Sequence, residues 1–154
     1  MKIAEASIEI AADRQAVFDL WATEDGLCSW MAAEATLDVR PGGAWRWVHD
    51  NGAASSGRYV TVDPPDVLEF TYGWESGPIT EVTPGSTTVK VTFEDVPAGT
   101  RVRVEHTGLT AALAERHLGG WNYFLPLLAD AAVTGAVGGT RLPPEPDATT
   151  GGQT

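Results

Sequence analysis

Hydrophobic and polar positions divide the chain into two stretches of helical period separated by a long stretch of period two. From Ile3 to Ile10, Ala4, Ala6, Ile8 and Ile10 alternate with Glu5, Ser7 and Glu9, the pattern of a half-buried strand that only Ile3 breaks. Val17, Phe18, Trp21 and Ala22 then share one helical face behind Asp13, a residue suited to cap it. Thr23 opens a second, short helix that ends near Trp30. From residue 33 the period becomes two: Ala35, Leu37 and Val39 alternate up to a turn at Pro41-Gly42-Gly43, and Trp45, Trp47 and His49 share the next strand face. Asp50-Asn51-Gly52 predicts a tight type I′ hairpin, because Asn and Gly tolerate positive φ.

A strand over roughly residues 56–62 follows, ended by Asp63-Pro64-Pro65-Asp66. Its orientation stays open, with either Tyr59 and Thr61 or Arg58, Val60 and Val62 inward. Leu68, Phe70, Tyr72 and Trp74 alternate on the next strand. Beyond a loop from Gly77 to Gly85, so do Thr87, Val89, Val91 and Phe93, and, after Pro97-Ala98-Gly99, Val102, Val104 and His106. Short connections imply antiparallel neighbours, so the chain predicts an α+β fold with a curved antiparallel sheet of about six to seven strands. Gly108 and Thr110 open the longest helix, about Ala111 to Val133, whose inward stripe reads Leu113, His117, Trp121, Phe124, Leu128 and Ala132. Pro126 inside it predicts a kink or a break. These elements form one domain over residues 1–137, and the Gly-, Pro- and Thr-rich residues 138–154 read as a flexible tail.

A chain of 154 residues suits one domain and buries enough surface to fold without disulfide or metal. The net charge of −11 repels phosphate backbones and anionic lipid, so neither nucleic acid nor membrane is an expected partner. Cys28 is alone, which excludes an internal disulfide, and Glu5 and Glu9 interrupt any signal-peptide core. No apolar run reaches the roughly 18 residues of a membrane span. The expectation is a cytoplasmic protein.

Geometry then predicts an interior with room to spare. A helix is about 10 Å wide, and six strands spaced about 4.8 Å apart are far wider. The sheet must therefore curl around the helix. Inward side chains beyond the helix's reach must meet each other, water or a ligand. That inward set is aromatic: Trp45, Trp47, Tyr72, Trp74, Trp121 and Phe124, joined by His49, His106 and His117. An apolar concavity with a few convergent polar groups is the usual form of a small-molecule site. The same rings could equally fill a core, and periodicity does not separate the two.

Candidate chemistry is sparse. The three histidines lack the spacing of metal-ligand motifs, so no metal and no cofactor is expected. His106, His117, Tyr72 and Arg58 are the groups available for acid–base work beside an apolar substrate. Cys28 has no histidine nearby in sequence and reads as a small buried hydrophobe. Pro41-Gly42-Gly43 lacks the Gly-Lys-Ser/Thr of a phosphate loop.

An ordered set of short matches spans residues 3 to 134. It comprises Ala16-Val17-Phe18-Asp19 in the first helix, Trp30 closing the second, Asp38-Val39-Arg40-Pro41-Gly42-Gly43 with Trp45, and Gly57 with Val62-Asp63-Pro64-Pro65 leading to Leu68 and Phe70. Thr87-Thr88-Val89, Gly99-Thr100-Arg101-Val102, His106, and His117 with Gly119-Gly120-Trp121 complete it. In these residues the chain resembles the SRPBCC (START-like, birch-pollen-allergen-like) superfamily, in the branch of activators of the heat-shock-protein-90 ATPase. The resemblance implies a helix-grip fold, with the sheet gripping the long C-terminal helix over a deep cavity for hydrophobic ligands. Its members include lipid and hormone carriers, aromatase/cyclases and stress-related co-chaperone domains. Three functions follow as expectations: a carrier or sensor of an apolar small molecule, a cyclase-like enzyme using acid–base residues, and a co-chaperone-like regulator. A homodimer is compatible with each, although no stripe marks an interface.

Overall fold

The computed structural model describes residues 2–134. The elements run β1 (Lys2–Ile10), α1 (Arg14–Ala22), α2 (Glu24–Cys28), β2 (Glu34–Leu37), β3 (Ala44–Val48), β4 (Ala54–Asp63), β5 (Val67–Trp74), β6 (Thr87–Val96), β7 (Gly99–Leu109) and α3 (Ala111–Thr134). Seven strands form one antiparallel sheet in the order β1-β7-β6-β5-β4-β3-β2. Helix α3 packs chiefly against β1 and β7, with α1 beside it. This is the helix-grip arrangement: the helix backbone lies over one half of a curved sheet, and the other half reaches it only through long side chains.

Local chemistry accounts for the boundaries. Asp13 caps α1, its Oδ1 accepting from Ala16 N at 2.8 Å. Thr23 caps α2, accepting from Gly26 N at 3.0 Å. Trp30 closes the helical pair by donating its indole N–H to the Leu20 carbonyl at 2.8 Å. Along β1 the alternation is obeyed, with Ala4, Ala6 and Ile10 buried and Ile3 exposed on the outer face.

Four expectations need correction. The hairpin at Asp50-Asn51-Gly52 is not type I′: Gly52 takes positive φ (87°) and no other residue type does among the described residues. Asn51 acts through its side chain instead, Oδ1 accepting from Ala53 N at 2.9 Å. Strand β4 admits neither proposed orientation throughout. The register shifts between Tyr59 and Thr61, so Tyr59 faces inward, Val60 lies exposed at the bulge, and Val62 returns to the core side. Gly108 belongs to β7, so Thr110 alone opens α3, its Oγ1 accepting from Leu113 N at 3.3 Å. Pro126 does not break α3, which runs unbroken from Ala111 to Thr134 with the proline on its exposed side, facing away from the core. The predicted tail, residues 138–154, lies outside the described residues.

One close approach depends on glycine. Gly57 of β4 pairs with Trp45 of β3, and a Cβ there would stand 1.9 Å from the Thr71 carbonyl oxygen and 2.9 Å from Trp45 Nε1. That indole nitrogen donates to the same carbonyl at 3.0 Å. Gly57→Ala is therefore expected to destabilise the fold by about 1–3 kcal/mol, the usual cost of overpacking, as measured by urea unfolding. An unchanged midpoint would show that β4 can move away from β5 at no cost.

Candidate functional site

The inward aromatic and histidine side chains predicted from the sequence meet. Trp45 and Trp47 project from β3, with ring centroids 4.4 Å apart, and His49 follows directly after that strand. Tyr72 of β5 is the hub. Its ring stacks on Trp45 at 5.6 Å and lies 6.0 Å from Trp47, 5.9 Å from Trp74, 4.9 Å from His106 and 6.3 Å from Trp121. His49 closes the circuit, 5.1 Å from Trp74 and 6.2 Å from Phe124. All are buried except Trp74, which is half-buried at the rim. The side chains beyond the reach of the helix thus meet one another, which is the contact that joins β3 and β5 to α3.

The polar atoms among these rings are ordered by donor and acceptor logic. Trp121 Nε1 donates to His106 Nδ1 at 3.2 Å, so Nδ1 is the acceptor and the proton of the neutral ring sits on Nε2. Nε2 lies 2.8 Å from Thr87 Oγ1, and that hydroxyl passes its own proton to the Tyr72 carbonyl at 2.8 Å. His117 takes the opposite tautomer. Its Nδ1 donates to the Leu113 carbonyl at 2.8 Å, and its Nε2 accepts from Trp74 Nε1 at 3.2 Å. Burial first, and then the repulsion that a protonated His117 would exert, push His106 down to about 3. Burial lowers His117 as well, against the opposing bond to Leu113. Both rings are held neutral with both nitrogens engaged. Ser55 bonds the Tyr72 hydroxyl and lies 3.3 Å from His49 Nε2, and burial raises Tyr72 far above the ordinary phenol range.

Two buried side-chain polar atoms have no hydrogen-bond partner among the described residues, Trp47 Nε1 and Trp21 Nε1. Trp21 of α1 was read from the sequence only as one residue of a helical face. The structure places it against Trp30 at 4.8 Å and Trp121 at 6.0 Å, an extension of the same aromatic interior. Ser55 escaped notice because it falls just before the expected start of its strand, and Thr87 because its hydroxyl role depends on a histidine 19 residues away. Arg58, a candidate acid–base group, is exposed and donates to the Gly42 carbonyl at 3.0 Å, away from the rings. Among the described residues no group of three or more His, Cys, Asp or Glu is placed to hold a metal ion, and no helix is long and apolar enough to cross a membrane.

A curved sheet gripping one long helix over an aromatic interior defines a class of α+β domains, and comparison with known proteins gives the family. The model of the Activator of Hsp90 ATPase homolog 1-like proteins matches residues 11–132, and the chain belongs to that family, within the SRPBCC superfamily. Among solved structures, the chain is similar to the Aha1 dimer from Colwellia psychrerythraea, with 23% identity, TM-score 0.74, and coverage of 88% of this chain and 98% of that one. It is similar to the AHSA1-like protein from Aeromonas hydrophila at 20% identity, TM-score 0.69, and 87% and 94% coverage. DynU16, a protein of the dynemicin biosynthetic locus, superposes with TM-score 0.78 at 18% identity; 89% of this chain is covered but only 49% of DynU16. At these identities the likenesses concern the fold. None of the curated proteins matches the sequence.

Proposed function

We propose that this protein binds a small apolar, aromatic ligand in the ring-lined interior between β3, β5 and α3, as a carrier or sensor. A packed core would bury the same rings, so burial alone does not decide. The observation that carries the reading is the indole N–H of Trp47, buried among Trp45, Phe70 and Tyr72 without an acceptor. Leaving such a donor unpaired costs about 1–3 kcal/mol, a cost that a bound ligand bearing an acceptor would remove. The membership of DynU16 in a biosynthetic locus is in keeping with a small-molecule role for this fold.

Acid–base catalysis by His106 or His117 is the less favoured reading, since each would first have to give up a hydrogen bond to expose a nitrogen. The co-chaperone reading rests on the family name alone.

The test is native mass spectrometry of the protein from its own host, followed by thermal unfolding against a panel of apolar aromatics. A ligand at 100 times its Kd stabilises a native state by about 2.7 kcal/mol, which at this chain length raises Tm by several degrees. A bare native mass together with no Tm shift across the panel would overturn the reading. The same spectra report whether the protein is a homodimer, as the Colwellia relative was solved.

A further inference from the structure

The polar inventory of the interior specifies which apolar ligand it can take. The two buried side-chain polar atoms without a partner among the described residues are both N–H donors, on Trp47 (3% exposed) and Trp21 (1% exposed). The acceptors around them are spent: His106 Nδ1 on Trp121, His117 Nε2 on Trp74, and the Tyr72 carbonyl on Thr87. No Asp, Glu, Lys or Arg is buried among the described residues, so nothing inside can pair with a charged ligand. Trp47 and Trp21 are linked through Tyr72 and Trp121, by ring contacts of 6.0, 6.3 and 6.0 Å, so both unpaired donors belong to one connected set of rings.

We infer that the ligand is a neutral, flat aromatic ketone or quinone, a ring system that brings carbonyl acceptors to the indole N–H groups and stacks its faces on the interior rings. A hydrocarbon of the same shape would gain the stacking and leave the donors unpaired. A ligand whose polar groups are mainly donors would leave the indole donors unpaired and would meet no buried side-chain acceptor that lacks a partner among the described residues. A carboxylate would supply acceptors and pay for an unpaired buried charge. This inference rests on the proposed binding function and adds the class of ligand to it.

A matched pair of probes tests it. 9-Fluorenone and fluorene have the same flat tricyclic frame and differ by one carbonyl oxygen. Affinities are measured by calorimetry or tryptophan quenching for the wild type and for Trp47→Phe and Trp21→Phe. Fluorenone is expected to bind wild type about tenfold more tightly than fluorene, the net gain from a buried donor finding its acceptor. That preference, read in each variant as the ratio of its fluorenone to its fluorene affinity, should vanish in one or both variants. In the wild type, the indole N–H signal of the responsible tryptophan should move on adding fluorenone and stay in place on adding fluorene. Equal affinities for the two probes, or a preference that survives in both variants, would overturn the acceptor inference and leave apolar binding intact. Failure of both probes to bind the wild type, with no Tm shift from any member of the broader panel, would instead remove the binding function itself.

Discussion

Trp121→Ala is expected to cost about 3–5 kcal/mol, the usual range for removing a large buried aromatic side chain. Trp121 touches Trp21, Tyr72 and His106, and its indole N–H is the donor to His106 Nδ1. The alanine variant therefore leaves a cavity and an orphaned acceptor together. Typical domains are stable by only about 5–15 kcal/mol, so this single change could consume a large share of the total. Trp121→Phe keeps most of the buried area but removes the N–H, and should cost about 1–3 kcal/mol, mostly from the unsatisfied histidine nitrogen. Urea titration reads both, as a lower midpoint with an unchanged slope. A loss below about 1 kcal/mol for Trp121→Ala would mean that the ring borders a yielding, solvent-filled space and not the packed contact seen between α3 and β5.

Most of the fold was legible because the sheet is half-buried and obeys period two. Leu68, Phe70 and Tyr72 of β5 and Thr87, Val89, Val91 and Phe93 of β6 are all buried as the alternation requires. Helix ends marked by side-chain caps, Asp13 and Thr23, were legible for the same local reason. What failed was non-local. The bulge at Val60 reverses the inward face of β4, and only pairing with β5 fixes where the extra residue sits. The proline in α3 lies off the apolar stripe, on the exposed side of the helix, and the helix continues through it.

The site was legible at the level of residue type and illegible at the level of atoms. Alternation put Trp45, Trp47, Tyr72 and Trp74 on inward faces, and helical spacing did the same for His117, Trp121 and Phe124. The convergence follows from the topology: β3 and β5 flank β4, and their inward side chains lean toward a helix that covers only the β1 and β7 side. No sequence pattern could say which ring nitrogen of His106 accepts, that His117 carries the opposite tautomer, or that two of the tryptophans keep an unpaired N–H. Those facts depend on distances between strands far apart in sequence, such as the 2.8 Å from Thr87 Oγ1 to His106 Nε2. They also move the functional argument. Histidines that looked available for catalysis are committed to structure, and the chemistry left over is that of hydrogen-bond donors.

The same commitment makes the protein acid-sensitive in a window set by its histidines. His106 in the folded state lies at about 3, against an ordinary value of 6.5, and His117 is lowered too, both chiefly by burial. Below pH 6.5 the unfolded chain takes up a proton at both of these histidines, and the folded chain takes each up only at lower pH. Stability is therefore fully present above about 6.5 and falls as the pH drops toward the folded values, by up to about 1.4 kcal/mol per pH unit for a histidine whose folded ring is still neutral. The groups facing His106 are Tyr72, Thr87, Trp121 and His117; those facing His117 are His106, Tyr72, Trp74, the Leu113 carbonyl and the charge of Arg116. None is a carboxylate that could pair with an imidazolium. Denaturant unfolding between pH 6.5 and 5 avoids most carboxylate titration, which centres near 4. Over that range the wild type is expected to lose about 1–3 kcal/mol. His106→Gln should reduce the slope while keeping a polar side chain beside Trp121 and Thr87, and the double variant with His117→Gln should reduce it further. A slope that persists unchanged in the double variant would assign the acid sensitivity to groups other than His106 and His117 and contradict the buried-neutral assignment of these two rings.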